Sequence, residues 1–321
     1  MSSTFARTAL AAAVLFGGTL AVPAAQAAAP MAKTSAPGYY RMMLGDFEVT
    51  ALSDGTHAMD ATQLLDPGKA QVAGQAMKAA DQPASYEWSF NAYLVNTGSK
   101  LVLIDTGGGA FMGSDLGKLV ARIKAAGYSP EQIDEIYITH MHLDHVGGLV
   151  ADGKPVFPKA IVRAGKADAD FWLSKAQQEK APVDAREFFD IAQKALGPYV
   201  TSGHFKPIAG DVELVPGIRS VNLSGHTPGH TGYAIESKGQ KLLVWGDTLH
   251  VQTVQFPHPD VSIKFDGDAA MAEKARERIL ADAAKSGYLV AGAHIAFPGI
   301  GHVAADGNGY RWLPVSYAEI H

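Results

Sequence analysis

Ile138-Thr-His-Met-His-Leu-Asp-His-Val-Gly-Gly148 puts three histidines and an aspartate within six residues, His140 to His145, in a chain with 12 histidines in all. Just before it, Ile136-Tyr-Ile-Thr139 has the composition of a short buried strand. In an extended continuation, side chains two apart share a side, so His140, His142 and Asp144 are expected to project together. His145 then points away and opens a helix or turn, eased by Gly147 and Gly148. A solvated polar loop explains any one of these side chains. It does not explain four ligand types in H-x-H-x-D-H order after a buried strand, whereas a metal site does.

Three further candidates fall where other apolar runs end. His226 lies in Ser224-Gly-His-Thr-Pro-Gly-His230, Asp247 follows Lys241–Trp245 and Gly246, and His294 closes Ala291-Gly-Ala-His294. A small residue beside each lets the backbone turn close to a site. The chain has no cysteine, which excludes thiolate ligands and thiol nucleophiles. Imidazole and carboxylate donors suit two divalent ions, zinc first, with manganese, iron or cobalt as alternatives.

The remaining pattern reads as strands and helices in alternation. Phe47–Leu52 is a strand, and residues 60–85 are a loop with a short helix. Phe90–Asn96 and Lys100–Asp105 form a hairpin about Thr97-Gly98-Ser99. Helices are expected over Leu116–Ala126, over 166–196 with a break near Pro182, and over Ala269–Lys285. Strands are expected at 218–223, 231–236, 240–245 and Tyr288–Ala291, with Tyr310–Ser316 as an edge strand because Pro314 cannot donate to a ladder. Lys100-Leu-Val-Leu-Ile-Asp105-Thr and Lys241-Leu-Leu-Val-Trp-Gly-Asp247-Thr look like counterparts in a weak internal duplication. That implies an α/β chain with two sheets packed face to face and helices outside. No low-complexity linker divides it, so residues 45–321 are read as one domain after a flexible lead-in, 28–44.

With 321 residues, 47% hydrophobic and 18% charged, the chain can bury a substantial core. Its net charge of −5, with no Lys/Arg block, argues against a nucleic-acid partner. Residues 1–27 read as a signal peptide: Arg7 is the basic flank, Ala9–Val22 the apolar run, and Ala25-Gln-Ala27 the cleavage pattern. The run is too short and too rich in Ala and Gly for a stable membrane anchor. The expectation is a periplasmic or secreted protein, and the lack of disulfides does not oppose export at this size.

Taken together, Leu103-Ile-Asp-Thr-Gly107, His140-Met-His-Leu-Asp-His145, Gly225-His-Thr-Pro-Gly-His230, Gly246-Asp247 and His294 resemble the metallo-β-lactamase superfamily, an αββα sandwich. The resemblance covers nearly all the chain from about residue 45. Ala293-His-Ile-Ala-Phe-Pro-Gly-Ile-Gly-His302, with the leader, is similar to the methyl parathion hydrolase group and its lactone- and arylester-cleaving relatives. It implies that His140, His142 and His226 hold one ion, that Asp144, His145 and His294 hold the other, and that Asp247 bridges both along with a hydroxide. Asp247 and Asp144 are then the catalytic carboxylates. Asp105 either orients a ligand histidine by hydrogen bond or simply ends a strand.

The same resemblance nominates Leu65, Trp172, His250, Ile263 and Phe265 as the substrate pocket, with core packing as the alternative for each. His230 and His302 are read as structural, and His57, His204, His258 and His321 as surface or loop residues. Subclasses with a cysteine ligand are excluded, no basic cluster suits glutathione or nucleic acid, and His142 stands where di-iron flavoprotein members carry glutamate. The implied function is hydrolysis of an aryl lactone or arylester, with weak phosphotriester cleavage. Main-activity phosphotriesterase is the first alternative and a non-catalytic metal-binding member the second. A small-molecule ester substrate and a homodimer complete the expectation.

Overall fold

Alternate residues of a strand face opposite sides of its sheet, and this parity explains the layers. Leu101 and Leu103 pack with Leu119, Ile123, Phe189 and Leu196 from helices, whereas Val102 and Ile104 pack with Tyr233, Ile235, Leu242 and Val244 from a second sheet. On the far side of that sheet, Ala234, Leu243 and Val290 pack against Ile279, Leu280 and Ala283 of another helix. The order is helix, sheet, sheet, helix, as expected.

The computed structural model describes residues 29–320; the leader read at residues 1–27, and His321, lie outside the described residues. The first half contains β1 (Tyr39–Leu44), β2 (Phe47–Asp60), α1 (Ala70–Ala79), β3 (Ser85–Asn96), β4 (Leu101–Ile104), α2 (Leu119–Ala125), β5 (Glu135–Ile138) and α3 (Leu143–Val146). A small hairpin, β6 (Val150–Ala151) and β7 (Lys154–Pro155), precedes β8 (Ile161–Ala164) and the helices α4 (Lys166–Trp172), α5 (Lys175–Lys180) and α6 (Arg186–Thr201). Then come β9 (Glu213–Val215), β10 (Ile218–Asn222), β11 (Thr231–Ser237), β12 (Gln240–Val244), α7 (Gln252–Gln255), α8 (Ala269–Ser286), β13 (Leu289–Ala291), β14 (Ile300–Asp306) and β15 (Gly309–Pro314).

The sheets run β1-β2-β3-β4-β5-β8 and β15-β14-β13-β12-β11-β10-β9. The duplication read from the sequence is visible here. β3 pairs antiparallel with β4 and β4 parallel with β5, just as β11 pairs antiparallel with β12 and β12 parallel with β13. β15, which carries Pro314, is an edge strand.

Several elements depart from expectation, among them the strands β8 and β9, which the sequence pattern does not announce. The lead-in expected to be flexible over 28–44 contains β1, paired antiparallel to β2 from Tyr39↔Leu52 to Leu44↔Phe47. As a half-buried edge strand, β1 shows no clean alternation, so its pairing depends on β2 rather than on its own pattern. The strand Ile300–Asp306 was also unannounced, because Gly299 and Gly301 interrupt its apolar signal.

Asp54 fixes the loop that leads from β4 into the site. At the bulge of β2, its buried carboxylate accepts the N–H groups of Gly108 (2.9 Å), Gly117 (3.0 Å) and Leu119 (2.9 Å). Replacing Asp54 with Ala leaves three inward N–H groups bare, which should lower unfolding free energy by about 3 kcal/mol. Urea melts with an unchanged slope and an extrapolated unfolding free energy lowered by less than a tenth of that amount would refute this role.

Candidate metal centre

Strand direction gathers the candidate ligands. β4, β5, β12 and β13 end at Ile104, Ile138, Val244 and Ala291, shortly before Asp105, His140, Asp247 and His294. β10 lies two antiparallel pairings from β12, so it shares that direction and delivers His226 to the same end. At Gly246 the backbone has φ 54, and a Cβ there would stand 2.6 Å from the His230 ring and 2.8 Å from Thr139. Only glycine fits that turn.

His140, His142, His226 and Asp247 form one group of donors and Asp144, His145, Asp247 and His294 another, with the atoms of each within 4.8 Å of one another. This corrects one local expectation. Extended backbone stops at His142 (φ −71, ψ 157), and Leu143 begins a helical turn, so Asp144 parts from His140 and His142 and joins His145. In the first group, His142 Nδ1 lies 3.0 Å from His140 Nε2 and 3.1 Å from His226 Nε2. Asp247 Oδ2 is 3.5 Å and 3.3 Å from those two Nε2 atoms.

In the second group, His145 Nε2 is 3.3 Å from Asp144 Oδ2 and 3.2 Å from Asp247 Oδ1. His294 Nε2 is 3.4 Å from Asp144 Oδ2 and 3.2 Å from Asp247 Oδ2. A tetrahedral ion with bonds of about 2.0–2.1 Å has donor–donor edges near 3.3–3.4 Å. The spacing fits such an ion in both groups. His145 Nε2 and Asp247 Oδ1 are also buried without hydrogen-bond partners, as donors aimed at an ion are.

The opposite edges of these rings are held from behind. His145 Nδ1 lies 2.9 Å from Asp105 Oδ2, and Asp105 also accepts the Thr139 N–H and hydroxyl, so the orienting reading of Asp105 fits better than the strand-end reading. His226 Nδ1 lies 2.8 Å from Asp266 Oδ1, and His294 Nδ1 lies 3.1 Å from the Ser89 carbonyl. His230 stands outside both groups: its Nδ1 faces the Leu223 carbonyl and its Nε2 accepts the Asp247 N–H, a loop-supporting role. Asp168, fully buried, ties the two histidine loops together by accepting from Met141 N–H, Thr227 hydroxyl and Gly229 N–H.

No sequence pattern marked Asp168, Asp266 or Ser89. Each acts through partners brought in from elsewhere along the chain, and Asp266-Gly-Asp268 reads locally as a helix start, which Asp268 indeed caps.

The donors floor a cavity of about 260 Å³ walled by Met59, Trp88, Phe90, Met112, Leu143, Trp172, Phe188 and Phe265, with Lys264 at its edge. Trp172, His250 and Phe265 line it as expected. Leu65 and Ile263 do not. They form a β-bridge with each other and are buried in the hydrophobic cluster behind the wall. The pocket side of residues 263–265 belongs to the neighbours of Ile263, a distinction that sequence position does not carry. His250 is buried, with Nε2 3.1 Å from Asp247 Oδ2 and its ring stacked on His294 at 5.1 Å. His57, His204, His258 and His302 take no part in either donor group.

The family model of the metallo-beta-lactamase superfamily matches residues 87–294. This chain belongs to the metallo-beta-lactamase superfamily. Among solved members, the hydrolase AbOPH is 38% identical, with a TM-score of 0.82 over 89% of this chain and 100% of that one. AidC, a dizinc quorum-quenching lactonase, is 27% identical, with a TM-score of 0.81 over 88% of this chain and 99% of that one. An N-acyl homoserine lactonase from a Bacillus species is 27% identical over 165 residues, 46% of this chain and 58% of its own length. The chain thus spans little more than half of that curated relative.

Charge in the superfamily site is tightly coupled. Burial opposes a charge on His226, yet Asp247 and Asp266 push it up to about 9. Burial likewise opposes His294, which Asp247 and Asp144 push up to about 10. Burial dominates at His142 and His230, both lowered to about 3. Burial also opposes a charge on His145, yet Asp247, Asp144 and Asp105 hold it well above the usual imidazole value. His145, His226 and His294 therefore keep protons at neutral pH until ions displace them. Zinc added to metal-free protein at pH 7.5 should release about three protons per chain, and apparent affinity should rise with pH toward 9–10. Titration in weak buffer with a pH indicator checks this; zinc uptake without proton release would refute it.

Proposed function

We propose that the protein is a binuclear metal hydrolase that opens lactones or cleaves arylesters, with small aryl lactones as its first substrates. The observation that carries this reading is the pair of donor groups sharing Asp247 on the floor of an aromatic pocket. His140, His142 and His226 would hold one divalent ion, Asp144, His145 and His294 the other, and Asp247 both; zinc is the first choice. Bound there, two ions supply Lewis-acid activation of water and of the scissile carbonyl. Asp247 and Asp144 keep the paired charges at fixed spacing, and burial beneath the pocket limits competing water.

Trp172, Phe188 and Phe265 offer flat faces to a planar ring. A cavity of about 260 Å³ lies just under the range of drug-sized sites, which suits a bicyclic lactone. Similarity to proteins named as lactonases supports the lactone class. The leader supports export to the periplasm or beyond, and base rates support a homodimer, which light scattering tests.

Metal-loaded protein should hydrolyse dihydrocoumarin with a higher kcat/KM than methyl paraoxon. A reversed order would make phosphotriester cleavage the main activity, and no turnover of either with two ions bound would favour the non-catalytic reading. His250→Leu removes a polar ring from beside Asp247 and should shift the ratio toward the phosphotriester by roughly tenfold. An unchanged ratio would remove His250 from substrate selection.

A further inference from the structure

Arg276 lies in α8, remote in sequence from every ligand motif, yet its side chain is fully buried. Its guanidinium donates to the carbonyls of Thr248 (Nε, 2.7 Å), Pro259 (Nη1, 2.8 Å) and Val261 (Nη1, 2.9 Å), and to Asp266 Oδ2 (Nη2, 3.3 Å). Thr248 adjoins the bridging Asp247. Pro259, Val261 and Asp266 belong to the segment that brings Lys264 and Phe265 to the pocket. Asp266 completes the chain: Oδ2 also accepts the Ile263 N–H at 3.2 Å, while Oδ1 faces His226 Nδ1 at 2.8 Å. The next two residues return to the same loop, Gly267 N–H to the His226 carbonyl and Asp268 N–H to the Gly225 carbonyl, both at 2.9 Å.

Apart from Asp247, which belongs to both donor groups, supports on the other side are separate. His145 is held by Asp105 at the end of β4, and His294 by the Ser89 carbonyl of β3; neither touches Arg276 or Asp266. A buried guanidinium stays favourable only while its partners hold their geometry, so the segment it grips moves as a unit with them.

We propose that Arg276 and Asp266 are positioning residues that couple the Lys264–Phe265 pocket wall to the ion held by His140, His142 and His226, and reach the Asp144–His145–His294 ion only through the shared Asp247. The inference rests on reading the site as a two-ion centre. Substrate preference and the hold on one ion are then set by the same buried contact. Because coupling is reciprocal, a ligand that binds the wall better when that ion is present raises the ion's affinity by the same factor.

The test is chelator-driven zinc release from the metal-loaded protein, followed by absorbance, with wild type, Asp266→Asn, Arg276→Lys and Asp105→Asn compared. Asp266→Asn and Arg276→Lys should accelerate the same one of two release steps by about 10- to 100-fold, the usual cost of losing a ligand's outer partner. Asp105→Asn should accelerate the other step. In the first two variants KM for dihydrocoumarin should rise more than kcat falls, and the preference for dihydrocoumarin over an alkyl lactone should change; Asp105→Asn should leave that preference intact. Should Arg276→Lys fail to fold, Asp266→Asn carries the same prediction. Equal acceleration of both steps by Asp266→Asn, or an unchanged lactone preference, overturns the coupling. Wild-type protein that releases fewer than two ions overturns the two-ion reading itself, and the coupling with it.

Discussion

The structure turns on one buried carboxylate. Asp247 Oδ2 lies within 3.5 Å of ring nitrogens of His140, His226, His250 and His294, and Oδ1 lies 3.2 Å from His145. Burial alone would raise its proton affinity, but the imidazoles, His145 foremost, hold it well below the usual carboxylate range. A charge so deep is stable only amid compensating charge and fixed hydrogen bonds. It also belongs to both donor groups, each of which draws residues from both halves of the chain. The left-handed turn at Gly246 and the His230 contact to the Asp247 N–H serve to hold that carboxylate in place.

From this constraint the division between chemistry and selection follows. The donor groups lie at strand ends, where parallel pairs of strands in both sheets deliver side chains to one rim. The pocket walls come from elsewhere: β3 for Trp88 and Phe90, α4 and α6 for Trp172 and Phe188, and the segment before α8 for Lys264 and Phe265. Loops and helices can vary without disturbing the rim, which is how one fold hosts different ester chemistries. In this chain some wall segments are nonetheless tied to the rim: Asp266 holds His226, the Ser89 carbonyl of β3 holds His294, and Asp168 of α4 binds both histidine loops.

How much of this was legible in the sequence depends on the range of the contact. The layered fold was readable because the continuous apolar runs in Leu101–Ile104 and Gln240–Val244 are a local mark of strands buried on both faces, and the repeated strand–aspartate–threonine pattern marks equivalent places in the two sheets. Edge strand β1 escaped because its burial is only partial. Leu65 and Ile263 were expected at the pocket, but they pair with each other, and it is the turn after Ile263 that carries Lys264 and Phe265 to the cavity. Asp168, Asp266 and Arg276 carry no local signal at all; each is a lone polar residue whose partners lie far along the chain.

The sequence by itself determined which donors are available: imidazoles and carboxylates without thiolate, spaced so that short loops after strands present them. Tertiary structure decided how those donors are shared. The helical turn that begins at Leu143 sends Asp144 to His145 and His294 instead of to His140 and His142. Only the packing of one sheet on the other brings Asp247 between the groups. Spacing along a chain specifies which side chains can leave a strand together, but burying charge demands partners from every direction, and those only the folded chain supplies.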